Sequence, residues 1–169
     1  MVAELIGAAM LALSGAGASD DAYPAVAARG DGSLPAGCAP RQVAGLVGSF
    51  LARVNRGDAR AAVRIMDPLA GPANQRPRGW YSVTEKGRHF VAYRRAPLVR
   101  YFARRHRHGE RMRLLKLSVV SGGKRSVGVE YRIRRSADDV RSRAAAIGKA
   151  AIDCPRQKIF VWSMSQPSR

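Results

Sequence analysis

The sequence is poor in cysteine, histidine and acidic residues. Its 169 residues include two cysteines, three histidines and twelve Asp and Glu, against thirty Lys and Arg. His106 and His108 are two residues apart in a predicted helix, so their side chains point in different directions and form a poor metal pair. Because no His and Cys residues cluster closely, the sequence predicts neither a zinc site nor any other metal site or cofactor.

Motifs that mark several common enzyme classes are also missing. The chain has no glycine-rich phosphate loop with its lysine, no G-x-S-x-G motif and no nucleophile triad. It also lacks the signatures of an RRM, a KH domain or a zinc finger. These absences argue against nucleotide hydrolysis, serine-hydrolase chemistry and sequence-specific recognition of nucleic acid.

What the chain has in excess is positive charge, a formal net +18. Such a field favours polyanions as partners, and we expect weak, nonspecific polyanion binding that fades with salt. The run RRAPLVRYFARRHRHGERMR interleaves aromatics with arginines, as single-strand binders do. However, Phe102 shares the apolar face of a predicted helix whose arginines lie opposite, which is the ordinary amphipathic pattern. Nonspecific nucleic-acid binding is therefore only a second alternative, and a GC-rich genome would also supply scattered arginines.

The N-terminal residues 1–18 form an apolar stretch that is too short for a comfortable membrane span. The stretch ends in Ala-Gly-Ala, which suits signal peptidase, although Glu4 stands where a basic residue is usual. We predict a signal peptide at 1–18, cleaved after Ala18, and a flexible linker at 19–37. The protein would then be extracytoplasmic, secreted or associated with the cell envelope; if the leader is not cleaved, it is cytoplasmic.

Residues 38–164 carry the periodic patterns of one folded domain, followed by a tail at 165–169. Apolar residues at helical spacing in RQVAGLVGSFLARVNRGD predict a first helix closed by Gly57, and Asp58 can cap a second. A proline-rich loop, the short strands WYSV and HFVAY and a third helix follow. The remaining runs, RMRLLKLSVV, SVGVEYRIRR, KAAIDC and KIFVWSM, predict four longer antiparallel strands, the first two joined at Gly122-Gly123. The fold class is therefore α+β.

This order of elements, with VNRGD, WYSV and IFVWSM, resembles exported actinobacterial members of the nuclear-transport-factor-2-like (SnoaL-like) superfamily over residues 40–164. The resemblance implies a cone formed by a curved antiparallel sheet packed against about three helices, with a pocket at its open end. The superfamily contains ketosteroid isomerase, scytalone dehydratase, limonene epoxide hydrolase, polyketide cyclases and noncatalytic binding or assembly domains. The fold alone therefore leaves the function open.

Enzymes of this fold need an acid or base whose pKa is tuned inside an apolar cone. The candidates are Asp67, His89, Glu130 and Asp153, with Asp67 and His89 preferred. Each also has a structural explanation: Asp67 ends a helix, His89 could face the solvent, Glu130 alternates with exposed arginines, and Asp153 can pair with an arginine. The pocket residues that we predict are Trp80, His89, Tyr101, Phe160 and Trp162, all of which could equally serve core packing.

No acid–base constellation stands out, so we expect a noncatalytic domain that binds a small apolar ligand or mediates protein–protein assembly, for example as a homodimer. The alternative is a small isomerase, dehydratase or hydrolase with an acid or base in its pocket. These two hypotheses differ in whether two titratable groups converge inside the cone.

The two cysteines allow one intramolecular pairing, Cys38 with Cys154, in an exported monomer. The alternative is two free thiols, one buried and one exposed. A short turn at Pro155 would make IFVWSM run antiparallel to KAAIDC, with Trp162 near the beginning of that strand and away from the disulfide.

Overall fold

The computed structural model describes residues 26–29, 33–67, 81–85, 88–139 and 145–165. Within these ranges the chain forms three helices and seven strands. In chain order they are β1 (Val26–Arg29), α1 (Pro40–Arg56), α2 (Ala59–Ile65), β2 (Tyr81–Glu85), β3 (Arg88–Ala92), α3 (Arg95–Arg107), β4 (Arg111–Ser121), β5 (Ser126–Ser136), β6 (Ala146–Asp153) and β7 (Lys158–Ser165). The predicted α+β class is confirmed. No helix in these ranges is long and apolar enough to cross a membrane.

The seven strands form one curved, unclosed sheet in the order β1-β4-β5-β6-β7-β2-β3. Strands β4 to β7 are an antiparallel meander, as predicted. The sheet as a whole is mixed, since β1 is parallel to β4 and β2 is parallel to β7. Parallel neighbours need long crossover connections, and here helices lie in the chain between the strands of each parallel pair.

Strand β1 lies inside the segment 19–37 that the sequence predicted as a flexible linker. Residues 26–29 pair with Leu117 to Val120 of β4, so this part of the linker prediction is corrected. An Ala-rich stretch without periodicity gives no strand signal of its own, and its backbone partners come from a strand about ninety residues away. The signal peptide at 1–18 and the tail residues 166–169 lie outside the described residues, so those boundaries stay predictions.

Helix α1 begins and ends where the sequence predicted. Pro40 occupies its first turn, and Gly57 closes it with a φ of 78°, a backbone conformation that glycine adopts without strain. A Cβ at Gly57 would lie 2.6 Å from the His106 ring, so the glycine also lets α3 pack against this corner. The Asp58 side chain then accepts a hydrogen bond from the Ala61 N–H at 3.0 Å and caps α2.

Two side-chain links fix α1 against the sheet. Asn55 near its C-terminus donates to the Met112 carbonyl and accepts from the Met112 N–H, both at 2.8 Å. At the other end, a disulfide joins Cys38 to Cys154 with the two Cα atoms 5.2 Å apart. The predicted pairing is therefore present in the structure, and it ties the start of α1 to the end of β6.

Candidate functional site

Seven aromatic rings meet between the helices and the sheet. They come from α1, α3, β2, β3, β5 and β7, and neighbouring ring centroids are 4.0 to 6.2 Å apart. We call this set the aromatic cluster: Phe50, Tyr81, Phe90, Tyr101, Phe102, Tyr131 and Trp162. Because the rings contact one another, they fill the interior of the cone with apolar surface that carries a few polar atoms.

Two polar groups in the aromatic cluster have no hydrogen-bond partner. Among the described residues, the Tyr81 hydroxyl and the Trp162 indole N–H are buried and make no hydrogen bond of normal geometry, and the Tyr101 phenol is the polar neighbour of the Tyr81 hydroxyl. Tyr81 and Trp162 are register partners on the parallel strands β2 and β7, so they are neighbours in the sheet. A buried donor without an acceptor typically costs about 1–3 kcal/mol, so these two groups are available to an acceptor that enters the cluster.

Tyr131 provides a contrast within the same cluster. Its ring stacks on Trp162 with centroids 4.3 Å apart, and its hydroxyl donates to the Ser163 carbonyl at 2.7 Å. The ring passes over Gly148, where a Cβ would lie 2.4 Å from the Tyr131 side chain. Because Gly148 has no side chain, there is room for the Tyr131 ring, whose hydroxyl already donates its hydrogen bond to the Ser163 carbonyl.

Burial raises the pKa of Tyr81, Tyr101 and Tyr131 above the ordinary tyrosine value. For Tyr81 the nearby Tyr101 and the negative charge of Glu110 add to this effect, and Glu110 also contributes at Tyr101. All three phenols are therefore neutral at physiological pH, when they can donate a hydrogen bond but cannot act as bases.

These shifts predict the alkaline behaviour of the protein. The folded state keeps three phenolic protons that the unfolded state releases near pH 10, so stability is full below that pH and falls above it. We expect Tyr81 and Tyr131, whose pKa values burial raises furthest, to stay un-ionised in the native protein above pH 10, measured by absorbance at 295 nm. Unfolding in denaturant should release the missing amplitude. Ionisation of all five near pH 10 without unfolding would contradict this burial.

The charged part of the interior is a network around Glu110, which is 1% exposed. Its Oε2 accepts from Arg105 Nε, and its Oε1 accepts from Arg135 Nε at 2.9 Å. Arg105 continues to Asp139 through two hydrogen bonds, at 2.6 and 3.0 Å. Burial disfavours the charged form of Arg105, but the hydrogen bonds to Asp139 and the negative charge of Glu110 outweigh it, so the pKa of Arg105 is raised. The same hydrogen bonds lower the pKa of Asp139.

Sequence reasoning missed this network. The alternation of β5 did contain a signal, because Arg135 continues the buried series Val127, Val129, Tyr131 and Ile133. Arg105 follows Tyr101 at helical spacing and is likewise buried. The partner Glu110 directly follows the turn that ends α3, so only the folded chain brings the three charges together.

The candidate catalytic residues Asp67 and His89 do not converge. The Asp67 N–H donates to the Ile159 carbonyl at the start of β7, and its carboxylate lies 3.9 Å from Arg95. His89 is exposed on β3, beside Thr84, which pairs with Ser165 at the end of β7. Along β7, six residues, or about 20 Å, separate Ile159, which contacts Asp67, from Ser165, which lies near His89.

The other predicted residues divide between surface and core. Glu130 is half-buried and lies 3.4 Å from Lys149, its register partner, in the ion pair that the simpler interpretation expects. Asp153 is buried and accepts from the Arg156 N–H at 3.0 Å. Phe160 is buried, whereas Tyr101 and Trp162 belong to the aromatic cluster. Trp80 lies outside the described residues.

Trp162 lies away from the disulfide, as predicted, but not near the beginning of its partner strand. It pairs with Ala150, the second residue of the strand predicted as KAAIDC. Because β6 begins three residues earlier, at Ala146, Trp162 lies opposite the middle of the actual strand. Four residues, about 13 Å, separate Ala150 from Cys154, so Trp162 is away from the disulfide as expected.

Neither a protein-family model nor a curated protein matches the sequence. Solved structures do match the fold. A protein described as a dehydratase of the NTF2-like family from Streptomyces avermitilis aligns with a TM-score of 0.57 and 15% identity, covering 76% of this chain and 96% of its own. The fold is NTF2-like.

Two further solved structures match the fold of this chain. A Nostoc punctiforme protein of unknown function with a cystatin-like fold aligns at a TM-score of 0.55 and 11% identity, covering 80% of this chain and 97% of its own. The Anabaena orange carotenoid protein binding canthaxanthin aligns at 0.51 and 11% identity, covering 70% of this chain but 35% of its own. At such identities the likeness concerns the fold alone.

Proposed function

We propose that this NTF2-like domain is a noncatalytic binding domain for a small apolar ligand that carries a hydrogen-bond acceptor, such as a ketone oxygen. The observation that carries the proposal is the pair of unpartnered buried donors, Tyr81 Oη and Trp162 Nε1, within the aromatic cluster. An acceptor oxygen that reaches either donor would satisfy it, while the rings supply apolar contact.

Catalysis is less well supported by the same interior. The buried carboxylate Glu110 has both oxygens occupied by guanidinium groups, whereas a general base needs a free lone pair that faces the substrate. The tyrosines are neutral because burial raises their pKa. Asp67 and His89, the alternative acid and base, lie at opposite ends of β7.

Two observations support the apolar nature of the ligand and the location of the protein outside the cytoplasm. The Anabaena protein with this fold binds canthaxanthin, an apolar molecule, although this chain spans about a third of its length. A buried disulfide is typical of proteins from oxidising compartments, and the predicted leader agrees with export. We therefore propose that the domain acts outside the cytoplasm, secreted or associated with the cell envelope.

The test compares two variants with the same chemical change. Tyr81→Phe removes a hydroxyl that makes no hydrogen bond of normal geometry with the described residues, so it should leave stability unchanged or raise it, yet weaken binding of an apolar ketone about tenfold. Tyr131→Phe removes a hydroxyl that is bonded to Ser163, so it should lower the free energy of unfolding by about 1 kcal/mol and leave binding unchanged.

The probe is β-ionone, a small apolar ketone, titrated by tryptophan fluorescence against a hydrocarbon of similar size. Because the rings are in contact, the ligand must separate them, and we expect slow association. Support for the proposal is ketone binding that Tyr81→Phe weakens and Tyr131→Phe does not. Equal binding of ketone and hydrocarbon, or equal losses in both variants, would refute the role of the two donors.

A further inference from the structure

The sheet face opposite the aromatic cluster carries a groove of about 510 Å³. On this face β4, β5, β6 and β7 align their outward residues in two rows across the sheet. Row one contains Ser118, Glu130, Lys149 and Ser163, and row two contains Lys116, Arg132, Ile147 and Ser165. The rows are two residues apart along each strand, about 7 Å. All eight residues line the groove together with Tyr131 and Gly148, and Ser118 is the buried member of row one.

The charges in the groove are unbalanced. Lys116 and Arg132 are directly opposite one another in the ladder, an arrangement in which like charges destabilise a strand pair. The carboxylate in the groove is Glu130, which lies 3.4 Å from Lys149. Since Lys149 is exposed and Glu130 is only half-buried, this ion pair is weak and water can replace it. Among the described residues that line the groove, three cations, Lys116, Arg132 and Lys149, therefore face one carboxylate, Glu130.

The positive charge continues beyond the groove. Arg113 and Arg134 are exposed and form the next directly opposed pair on this face of β4 and β5, beyond a register shift between Leu114 and Lys116. Two consecutive cross-strand pairs of like charge raise the local potential more than the same cations scattered over the surface. An anion bound between them would relieve the repulsion, so the free groove is electrostatically prepared for one.

The polar groups of the groove match phosphate. Arginine offers a planar fork of N–H donors, lysine adds a mobile ammonium donor, and serine hydroxyls can donate to the remaining oxygens. Cations and hydroxyls lie in both rows, so a single small anion would occupy only part of the groove. A chain of linked phosphates could contact both rows at once.

We infer that this groove binds a soluble anion with several linked phosphate groups, through Lys116, Arg132 and Lys149. The three cations lie on the outer face of the sheet, whereas the aromatic cluster packs on the inner face, and Tyr131 is the residue that the groove and the cluster share. The anion contacts inferred here do not involve Tyr131, so this inference does not rest on the proposed apolar ligand. It also gives a defined location to polyanion binding, which the net charge alone would distribute over the whole surface.

The experiment measures binding of inorganic tripolyphosphate and orthophosphate by calorimetry at 0.15 M salt. Lys116→Gln/Arg132→Gln should weaken tripolyphosphate binding at least about tenfold, as expected for loss of two charge-assisted contacts. Arg41→Gln/Arg60→Gln removes the same charge from exposed positions on α1 and α2, and screening should keep its effect below about twofold. Glu130→Gln should strengthen binding about threefold.

A thermal melt provides a second measurement on the same variants. Because Lys116→Gln/Arg132→Gln relieves a like-charge pair, it should raise the midpoint without ligand and reduce the increase that tripolyphosphate causes in the wild type. Equal weakening by the two double variants would show that only net charge matters and would overturn the inference. So would equal affinity for orthophosphate and tripolyphosphate, or binding to anionic phospholipid vesicles without binding to tripolyphosphate.

Discussion

Replacing Glu110 by glutamine is expected to lower the free energy of unfolding by about 3–5 kcal/mol, the usual cost of leaving buried charges without their partner. Glu110 is 1% exposed and lies between Arg105 and Arg135. Glutamine has almost the same shape but no charge, and its amide group would direct N–H donors at guanidinium donors. The change therefore removes the electrostatic compensation without creating a cavity.

The matched control is Glu130→Gln, the same substitution in an exposed ion pair. Its effect on the free energy of unfolding should stay below about 1 kcal/mol. Both variants are compared by urea unfolding at pH 7. If Glu110→Gln costs less than 1 kcal/mol, the network around Glu110 does not hold α3 to the sheet as described.

Loss of the Cys38–Cys154 disulfide is expected to be the second large effect. The bond closes a sequence separation of 116 residues, for which the chain-entropy model gives about 4–5 kcal/mol, and measured cases are typically about 2–4 kcal/mol. The double variant Cys38→Ala/Cys154→Ala should show this loss in urea unfolding. Both cysteines are buried, so reductant should act on the native protein only slowly.

Thiol counting provides the direct check on this bond. Denatured, unreduced protein made in an oxidising compartment should contain no reactive thiol, and reduction should release two. Two reactive thiols before reduction would show that the cysteines are free. The double variant would then be expected to change stability only through the small loss of buried sulfur.

The sequence predicted features that depend on local pattern or on a small number of choices. Gly57 and Asp58 mark the junction of α1 and α2 because left-handed backbone and side-chain capping are local requirements. The alternation in β5 gave its buried face, and two cysteines allowed one pairing. Each of these inferences needs only neighbouring residues or elimination.

The features that the sequence did not predict depend on distant partners. Arg105 is one of several arginines in α3, and nothing local shows that Glu110 and Asp139 neutralise it. Tyr81 becomes an unpartnered donor only because β2 pairs in parallel with β7, beside Trp162. The outer groove likewise arises from the register of four strands, which places Lys116 opposite Arg132.

The most direct test of the proposed ligand site is native mass spectrometry of the protein purified from its own host. The account predicts a noncovalent organic ligand that is retained under gentle conditions and lost on denaturation. The same measurement on Tyr81→Phe should show much less bound ligand, whereas Tyr131→Phe should retain it. A wild-type spectrum that contains the protein mass alone would contradict the assignment of the aromatic cluster as a ligand site.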